Sequence, residues 1–320
     1  MNTILPWQQP IWDRLQQQIA QQRIPHAMLL HGPAGTGKAV LATLLAQRLL
    51  CTTPSPSSYA CGYCPSCKLL AAATHPDLIT LQPEEGKAVL AVDQVRSMVE
   101  EFAFTPQIAQ RKVVLLQPAE SMNNNAANSL LKTLEEPPGE AVIILLSHTP
   151  ARLQPTIRSR CQQFAFPAPT HAESIDWLQQ QITTEDDPQQ VLQLAPGAPL
   201  KALSLSEPAL LQHHQQMGQE LLDLLTGRAD PVRVAYRWND KKLDPTMTLR
   251  WLQQWITQLL KREAQGDQLT ALMQCLQTVD HQRLFHLYDT VTHALSLSTT
   301  PVNKELLFDG ILLEWVRLRS

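Results

Sequence analysis

Strand–loop–helix alternation across the first half of the chain, with helical periodicity alone across the second, predicts an α/β domain followed by all-helical parts. Three observations lead there. A short apolar run, Ala27 to Leu30, passes directly into a glycine-rich loop, Gly32-Pro33-Ala34-Gly35-Thr36-Gly37-Lys38-Ala39. Near-continuous apolar runs at Asp77 to Leu81, Val113 to Leu116 and Ala141 to Leu146 have the character of parallel strands covered by helices on both faces. After Phe166, Pro167 and Pro169 break the chain, and only helical patterns follow.

Taken in order, the loop at Gly32 opens a helix from Lys38 to Leu50. Pro54-Ser55-Pro56-Ser57-Ser58 is a loop between Cys51 and Cys61, and helical segments at Val92 to Phe102 and Asn123 to Leu134 separate the later strands. Gln163 to Phe166 is strand-like and closes an α/β phosphate-loop domain at residues 1–166. Residues 167–207 form a small helical unit with a helix at Ala172 to Gln181 and a turn at Ala195-Pro196-Gly197-Ala198-Pro199. Residues 208–320 carry amphipathic helices, among them Leu210 to Leu225, Leu249 to Arg262 and Gln282 to Leu297. No repeat at solenoid spacing is present.

The 320 residues, 44% hydrophobic and 17% charged, are those of an ordinary globular protein, and a net charge of −3 argues against a globally basic nucleic-acid binder. The start, MNTILPWQQPIWDRLQQQ, lacks the basic and apolar parts of a signal peptide, and no apolar run reaches the roughly 18 residues of a membrane span. A soluble, intracellular protein is expected.

The glycine-rich loop has the pattern that lays backbone N–H groups around phosphates, with Lys38 reaching for the β/γ-phosphates. The pattern then calls for a hydroxyl to hold Mg²⁺, and position 39 is Ala. A working site also ends a second strand in Asp for the metal and often Glu to orient water, whereas Val113-Val114-Leu115-Leu116 runs into Gln117-Pro118. Two readings stand on these residues: residual nucleotide binding through Lys38, or a structural turn that does no chemistry.

Cys51, Cys61, Cys64 and Cys67 supply four thiolates, enough to close a tetrahedral zinc shell with no open position, which would make the metal structural. An iron–sulfur cluster or disulfides are the alternatives, and the intracellular reading favours zinc. Cys161 and Cys275 stand apart and are expected to be small buried apolar groups. In Arg158-Ser159-Arg160-Cys161, an arginine at a domain edge is either a solvated surface group or a finger offered to a neighbour's γ-phosphate. In Leu130-Leu131-Lys132-Thr133-Leu134-Glu135-Glu136-Pro137-Pro138, acidic residues end a helix against its macrodipole, the mark of either an interface or a solvated terminus.

These stretches, together with Arg23-Ile24-Pro25-His26-Ala27 before the first strand, resemble the clamp-loader branch of the AAA+ family over residues 1–166 and more loosely beyond. The resemblance implies a RecA-like AAA+ domain with a four-cysteine zinc module at 51–67, a helical lid at 167–207 and a C-terminal helical collar at 208–320. The ATPase subunits of that family keep the metal-binding residues. This chain departs from them at Ala39, Gln117 and Pro118, and at Leu200, where they carry a sensor Arg. In this it is similar to the family's stator subunits, whose ATP site is degenerate and whose Ser-Arg-Cys arginine is kept. The tail, Pro301-Val302-Asn303-Lys304-Glu305-Leu306-Leu307 followed by an amphipathic helix to Arg319, is similar to the end of that family's collar domain.

The resemblance further implies a cytoplasmic component of the DNA polymerase III holoenzyme, a DNA-directed DNA polymerase, without ATP turnover of its own. It would hold structural Zn²⁺ at Cys51, Cys61, Cys64 and Cys67 and present Arg160 in trans. ATP at its own Gly32, Gly35, Thr36, Gly37 and Lys38 is left open. Its partners would be a delta subunit and three ATPase subunits in a five-subunit ring, and through that ring a sliding clamp and primer-template DNA. Two other classes are an autonomous ATPase or nucleotide switch and a direct DNA-binding module with the cysteines as a reading finger. The lack of Lys/Arg runs near Cys51 to Cys67 argues against the last.

Overall fold

The computed structural model describes residues 3–53, 58–183, 186–239, 244–261, 267–276, 279–298, 300 and 302–319. Most of the expected loop at Pro54 to Ser58, the expected helix end at Arg262, and Pro301 lie outside the described residues. The chain divides into two compact units, Met1–Trp177 with Gly197–Lys201, and Leu178–Pro196 with Ala202–Ser320.

The first unit is built on one parallel sheet of β1 (Ala27–His31), β2 (Leu78–Leu81), β3 (Lys112–Leu116), β4 (Ala141–Ser147) and β5 (Gln162–Ala165), in the order β2-β3-β4-β1-β5. Its helices are α1 (Gln9–Ala20), α2 (Lys38–Leu50), α3 (Pro65–Ala71), α4 (Val92–Phe102), α5 (Asn124–Glu135), α6 (Pro155–Arg160) and most of α7 (His171–Gln179). The strand period of two explains the apolar runs. Leu29, Val114, Leu116, Ile143 and Leu145 share one core with residues of α4, α5 and α6, while Met28, Leu30, Val113, Ile144 and Leu146 share another with residues of α1 and α2. Both faces are covered, so neither set of alternate residues needs to be polar. Asp77, expected inside a strand, lies one residue before β2, although its carbonyl still accepts the Val113 amide of β3 at 2.9 Å.

The second unit is helical: α8 (Pro188–Gln193), the second half of α9 (Pro199–Ser204), α10 (Pro208–Thr226), α11 (Pro231–Trp238), α12 (Pro245–Lys261), α13 (Asp267–Cys275), α14 (His281–Leu297) and α15 (Lys304–Val316). Side-chain oxygens of Asp230, Asp280 and Asn303 accept backbone N–H groups at the starts of α11, α14 and α15. Three buried indoles each find an acceptor. Trp238 donates to Glu220 Oε2 at 2.7 Å, Trp251 to the Leu194 carbonyl at 2.9 Å and Trp315 to the Leu221 carbonyl at 3.0 Å.

Two expectations need correction here. Cys275 is exposed, because α13 turns Leu272 and Leu276 into the core and Cys275 falls beside that stripe. The last helix ends at Val316 and is not amphipathic. Phe308, Ile311, Leu312 and Trp315 are buried, yet Leu306 and Leu313, seven residues apart, are exposed, so its apolar residues run all the way round.

Candidate functional site

The glycine-rich loop leaves the C-terminal end of β1, the strand flanked by β4 on one side and β5 on the other, where crossovers diverge and ligands bind in open α/β sheets. Gly37 takes a left-handed conformation (φ 84°) and caps α2. The loop is closed by its own chain. Lys38 is buried, and its Nζ donates to the carbonyls of Gly32 at 2.7 Å and Pro33 at 2.6 Å. Thr36 Oγ1 also donates to the Pro33 carbonyl, at 2.9 Å. From the N-terminal segment, Trp7 Nε1 donates to the Thr36 carbonyl at 2.9 Å and Gln8 Nε2 to the Gly37 carbonyl at 2.8 Å. Burial brings the Lys38 ammonium down to about 8, a fall the Glu120 carboxylate partly opposes. Glycine is required at Gly32 by packing against backbone, and at Gly37 by its left-handed φ together with close side chains. A Cβ on Gly32 would come within 2.1 Å of the Phe166 carbonyl oxygen, and one on Gly37 within 2.2 Å of Leu5 Cδ1. The shape of this loop therefore has a structural reason independent of any nucleotide.

Beside the loop, which contributes Gly35 and Gly37 to its wall, is a cavity of about 630 Å³, within the usual range for small-molecule sites. Lys38, Ala39, Gln117, Pro118, His148 and Leu200 meet there. The structure thus gathers all four departures, spread over 160 residues of sequence, onto one wall. Its described lining includes no carboxylate. Glu120 was not singled out by the sequence. Its Oε1 accepts the amides of His148 at 2.9 Å and Thr149 at 3.2 Å. Burial would raise this carboxyl, but backbone hydrogen bonds, His148's among them, hold it below the usual carboxylate value. Its charge opposes that of Lys38, and burial followed by Lys38 lowers the pKa of His148. No local pattern marks the parts Glu120, Trp7 and Gln8 play at this site, since the groups they bond there lie 28 or more residues away.

The four cysteines converge. Their sulfurs all lie within 4.8 Å of one another, with Cys51–Cys64 at 4.0 Å and Cys61–Cys67 at 3.9 Å. A zinc tetrahedron with bonds of about 2.3 Å has sulfur–sulfur edges of about 3.8 Å, whereas a disulfide needs about 2.05 Å. The cluster can hold a metal ion. Backbone amides of Cys61, Cys64 and Cys67 donate to the sulfurs of Cys51, Cys61 and Cys64, each at 3.4 Å, an arrangement that favours thiolates. Burial works against ionisation of Cys64, but hydrogen bonds from Thr52 and the Cys67 amide outweigh it and bring the thiol down to about 5. Burial pushes Cys67 up to about 12.

A hydrogen-bonded chain ties this module to the sheet. The Asp77 amide donates to His75 Nδ1 at 3.0 Å, which leaves Nε2–H to donate to Ser66 Oγ at 2.8 Å. Ser66, between Cys64 and Cys67, donates in turn to the Leu50 carbonyl at 2.6 Å. Burial lowers the His75 pKa, consistent with the neutral ring that this chain requires. The Asp77 carboxylate accepts three successive amides, Gln107 at 2.7 Å and Ile108 and Ala109 at 2.8 Å each. Although burial opposes it, these bonds hold Asp77 below the usual carboxylate value.

Arg160 is the last residue of α6, and its side chain is one-third exposed. Nε donates to Glu135 Oε1 at 2.6 Å, Nη2 reaches the same oxygen, and Nη1 donates to the Thr156 carbonyl at 3.0 Å. Arg158 donates to the Pro150 carbonyl at 3.3 Å, and Cys161 is buried as expected.

Comparison with known proteins finds two family models, matching separate parts of the chain. The DNA polymerase III, delta subunit family matches residues 7–170, and the DNA polymerase III, delta subunit, C terminal family matches residues 208–317. DNA polymerase III subunit delta' of Pseudomonas aeruginosa is 37% identical, covering 99% of each chain. The subunit delta' of Escherichia coli K12 is 32% identical over 96% of this chain and 94% of its own. The crystal structure of a DNA polymerase III gamma subunit-related protein from Thermotoga maritima is similar in fold, with a TM-score of 0.50 at 17% identity over 97% of this chain and 99% of that one.

Proposed function

The chain belongs to the DNA polymerase III delta' subunit family, and from that premise we propose that this clamp-loader subunit turns over no ATP itself and lends Arg160 to ATP bound by a neighbouring ATPase subunit. The observation that carries the reading is the wall of the phosphate cavity, where Ala39, Gln117, Pro118 and Leu200 stand together. Phosphoryl transfer to water relies on Mg²⁺ to neutralise charge and on a residue that orients the water. Alanine, proline and leucine offer a hard dication nothing, and glutamine offers only a neutral oxygen. Lys38 is already held by two carbonyls of its own loop.

The guanidinium of Arg160, one-third exposed, is held by Glu135 and the Thr156 carbonyl through three of its five N–H groups and keeps the other two for a neighbour. Arginine fingers contribute about 10³–10⁵ in rate in well-studied cases. In this reading residues 1–166 form the wall that presents it, 167–207 a lid, and 208–320 a collar. The collar joins a five-subunit ring with a delta subunit and three ATPase subunits, and the exposed Leu306 and Leu313, on the helix that buries Phe308, Ile311, Leu312 and Trp315, suit such helix–helix assembly. The ring would load a sliding clamp on primer-template DNA in the cytoplasm, as part of the replicative DNA-directed DNA polymerase. No helix among the described residues is long and apolar enough to cross a membrane. Zn²⁺ at Cys51, Cys61, Cys64 and Cys67 would be structural, since four thiolates leave no position for substrate.

Reconstitution of the complex with Arg160→Ala tests the central claim. DNA-stimulated ATP hydrolysis and clamp loading fall while ring assembly is unchanged, and loading that continues at the normal rate removes the finger. A second reading, nucleotide binding by this chain, is favoured by the intact run Gly32 to Lys38 beside a cavity of nucleotide size. Tight Mg²⁺-dependent ATP binding to the isolated chain would establish it.

A further inference from the structure

We infer that Glu135 is a positioning residue for Arg160, holding its guanidinium aimed to stabilise the negative charge on a neighbour's phosphate; the inference rests on the reading of Arg160 as a trans arginine. The pair is set by two helix ends that share one core. Leu130 and Leu134 of α5 and Ile157 of α6 are buried together, with Cys161 one residue beyond Arg160. Glu135 is the last residue of α5 and Arg160 the last of α6, so neither side chain hangs from a loop.

The hydrogen-bond count shows what the pairing leaves available. A guanidinium has five N–H donors in one plane. Glu135 Oε1 takes one from Nε and one from Nη2, and the Thr156 carbonyl takes one from Nη1. Two N–H groups then have no partner among the described residues, one on each terminal nitrogen, in a plane fixed on its other side. That arrangement offers a pre-oriented fork to an oxyanion and removes the rotamer freedom an exposed arginine otherwise has.

The placement of Glu135 has no explanation in its own helix. A carboxylate at a helix C-terminus faces the negative end of the macrodipole. With Glu135 half-exposed and Arg160 one-third exposed, the ion pair also adds little to stability. What the pair does set is direction, and a misplacement on the order of 1 Å at a reacting centre costs about 10²-fold in rate.

The experiment uses the assembled complex on primed DNA and measures single-turnover ATP hydrolysis and clamp loading. It compares Arg160→Ala, Glu135→Ala, Glu135→Gln and the double variant Arg160→Ala with Glu135→Ala. Glu135→Ala is expected to lower kcat by about 10- to 100-fold at the site this chain borders. KM for ATP, the thermal midpoint and ring assembly stay unchanged. Glu135→Gln, which keeps an amide oxygen where Oε1 accepts both bonds, recovers most of the rate, and the double variant is no slower than Arg160→Ala alone. If Arg160→Ala slows turnover while Glu135→Ala does not, or speeds it, the positioning role is overturned and the finger survives. Turnover unaffected by Arg160→Ala overturns both. A Glu135→Ala loss accompanied by a lower midpoint or poor assembly assigns the residue to structure and overturns the proposal.

Discussion

The phosphate loop and the cysteine cluster both read as ligand sites in sequence, yet their polar atoms are committed in opposite ways. In the loop, Lys38 Nζ and the carbonyls of Thr36 and Gly37 are bonded within the chain, and Gly32 and Gly37 are pressed against Phe166 and Leu5. In the cluster, four sulfurs from two segments point at one centre at close to the spacing of a metal tetrahedron, and backbone amides are aimed at three of them. A motif can be kept for the backbone shape it produces. Convergence of thiols has no comparable packing reward, because four sulfurs gain little from one another without an ion between them.

The sharpest way to break that contrast is to test the proposed zinc. Chelation, or Cys64→Ser, should release about one zinc per chain and destabilise the first unit by at least about 3 kcal/mol, lowering its thermal midpoint by about 10 °C. A Cys64→Ser protein with full zinc and an unchanged midpoint would erase the distinction. Next in size, Gly37→Ala should cost about 2–3 kcal/mol in denaturant unfolding, from left-handed strain together with overpacking against Leu5. A neutral Gly37→Ala would mean the loop is not held by packing.

A smaller effect probes the network that ties the cluster's helix to the sheet. Asp77 has its folded pKa depressed, so its contribution is complete above its unfolded value near 4 and is lost as pH falls through the lower folded value. Asp77→Asn should therefore weaken the fold by about 1–3 kcal/mol at pH 7 and flatten the acid limb of the stability profile. An acid limb identical to that of the parent protein would place the acid sensitivity elsewhere. The smallest effect is expected at Lys38. Lys38→Met should change stability by about 1 kcal/mol or less, since it removes two hydrogen bonds and a desolvated charge together. It should leave clamp loading intact, and lost loading in a correctly assembled complex would show that the loop works with nucleotide after all.

Much of this was legible in the chain itself. The strands follow from runs such as Val113 to Leu116, because burial on both faces leaves an unbroken apolar signature, and the helix after Gly37 follows from the loop that caps it. The cysteine spacing pointed to one cluster because Cys61, Cys64 and Cys67 are near neighbours whose geometry is local. Legibility failed where the deciding partner is remote. Cys275 lies beside a buried stripe whose orientation depends on the packing of other helices. Glu120 is one acid among many until β4 brings His148 beside it, and Trp7 and Gln8 show no sign of capping a loop near residue 36.

By itself the sequence determined the order of elements, the identity of the phosphate loop and its missing hydroxyl, and the membership of the cysteine set, since each rests on backbone periodicity or on residues a few positions apart. The folded chain decided that Ala39, Gln117, Pro118 and Leu200 share one wall, that Lys38 is satisfied by its own loop, and that Glu135 grips Arg160. Those are relations between side chains set by the crossing of strands and helices, and no local pattern encodes the distance between residues 25 or 160 positions apart.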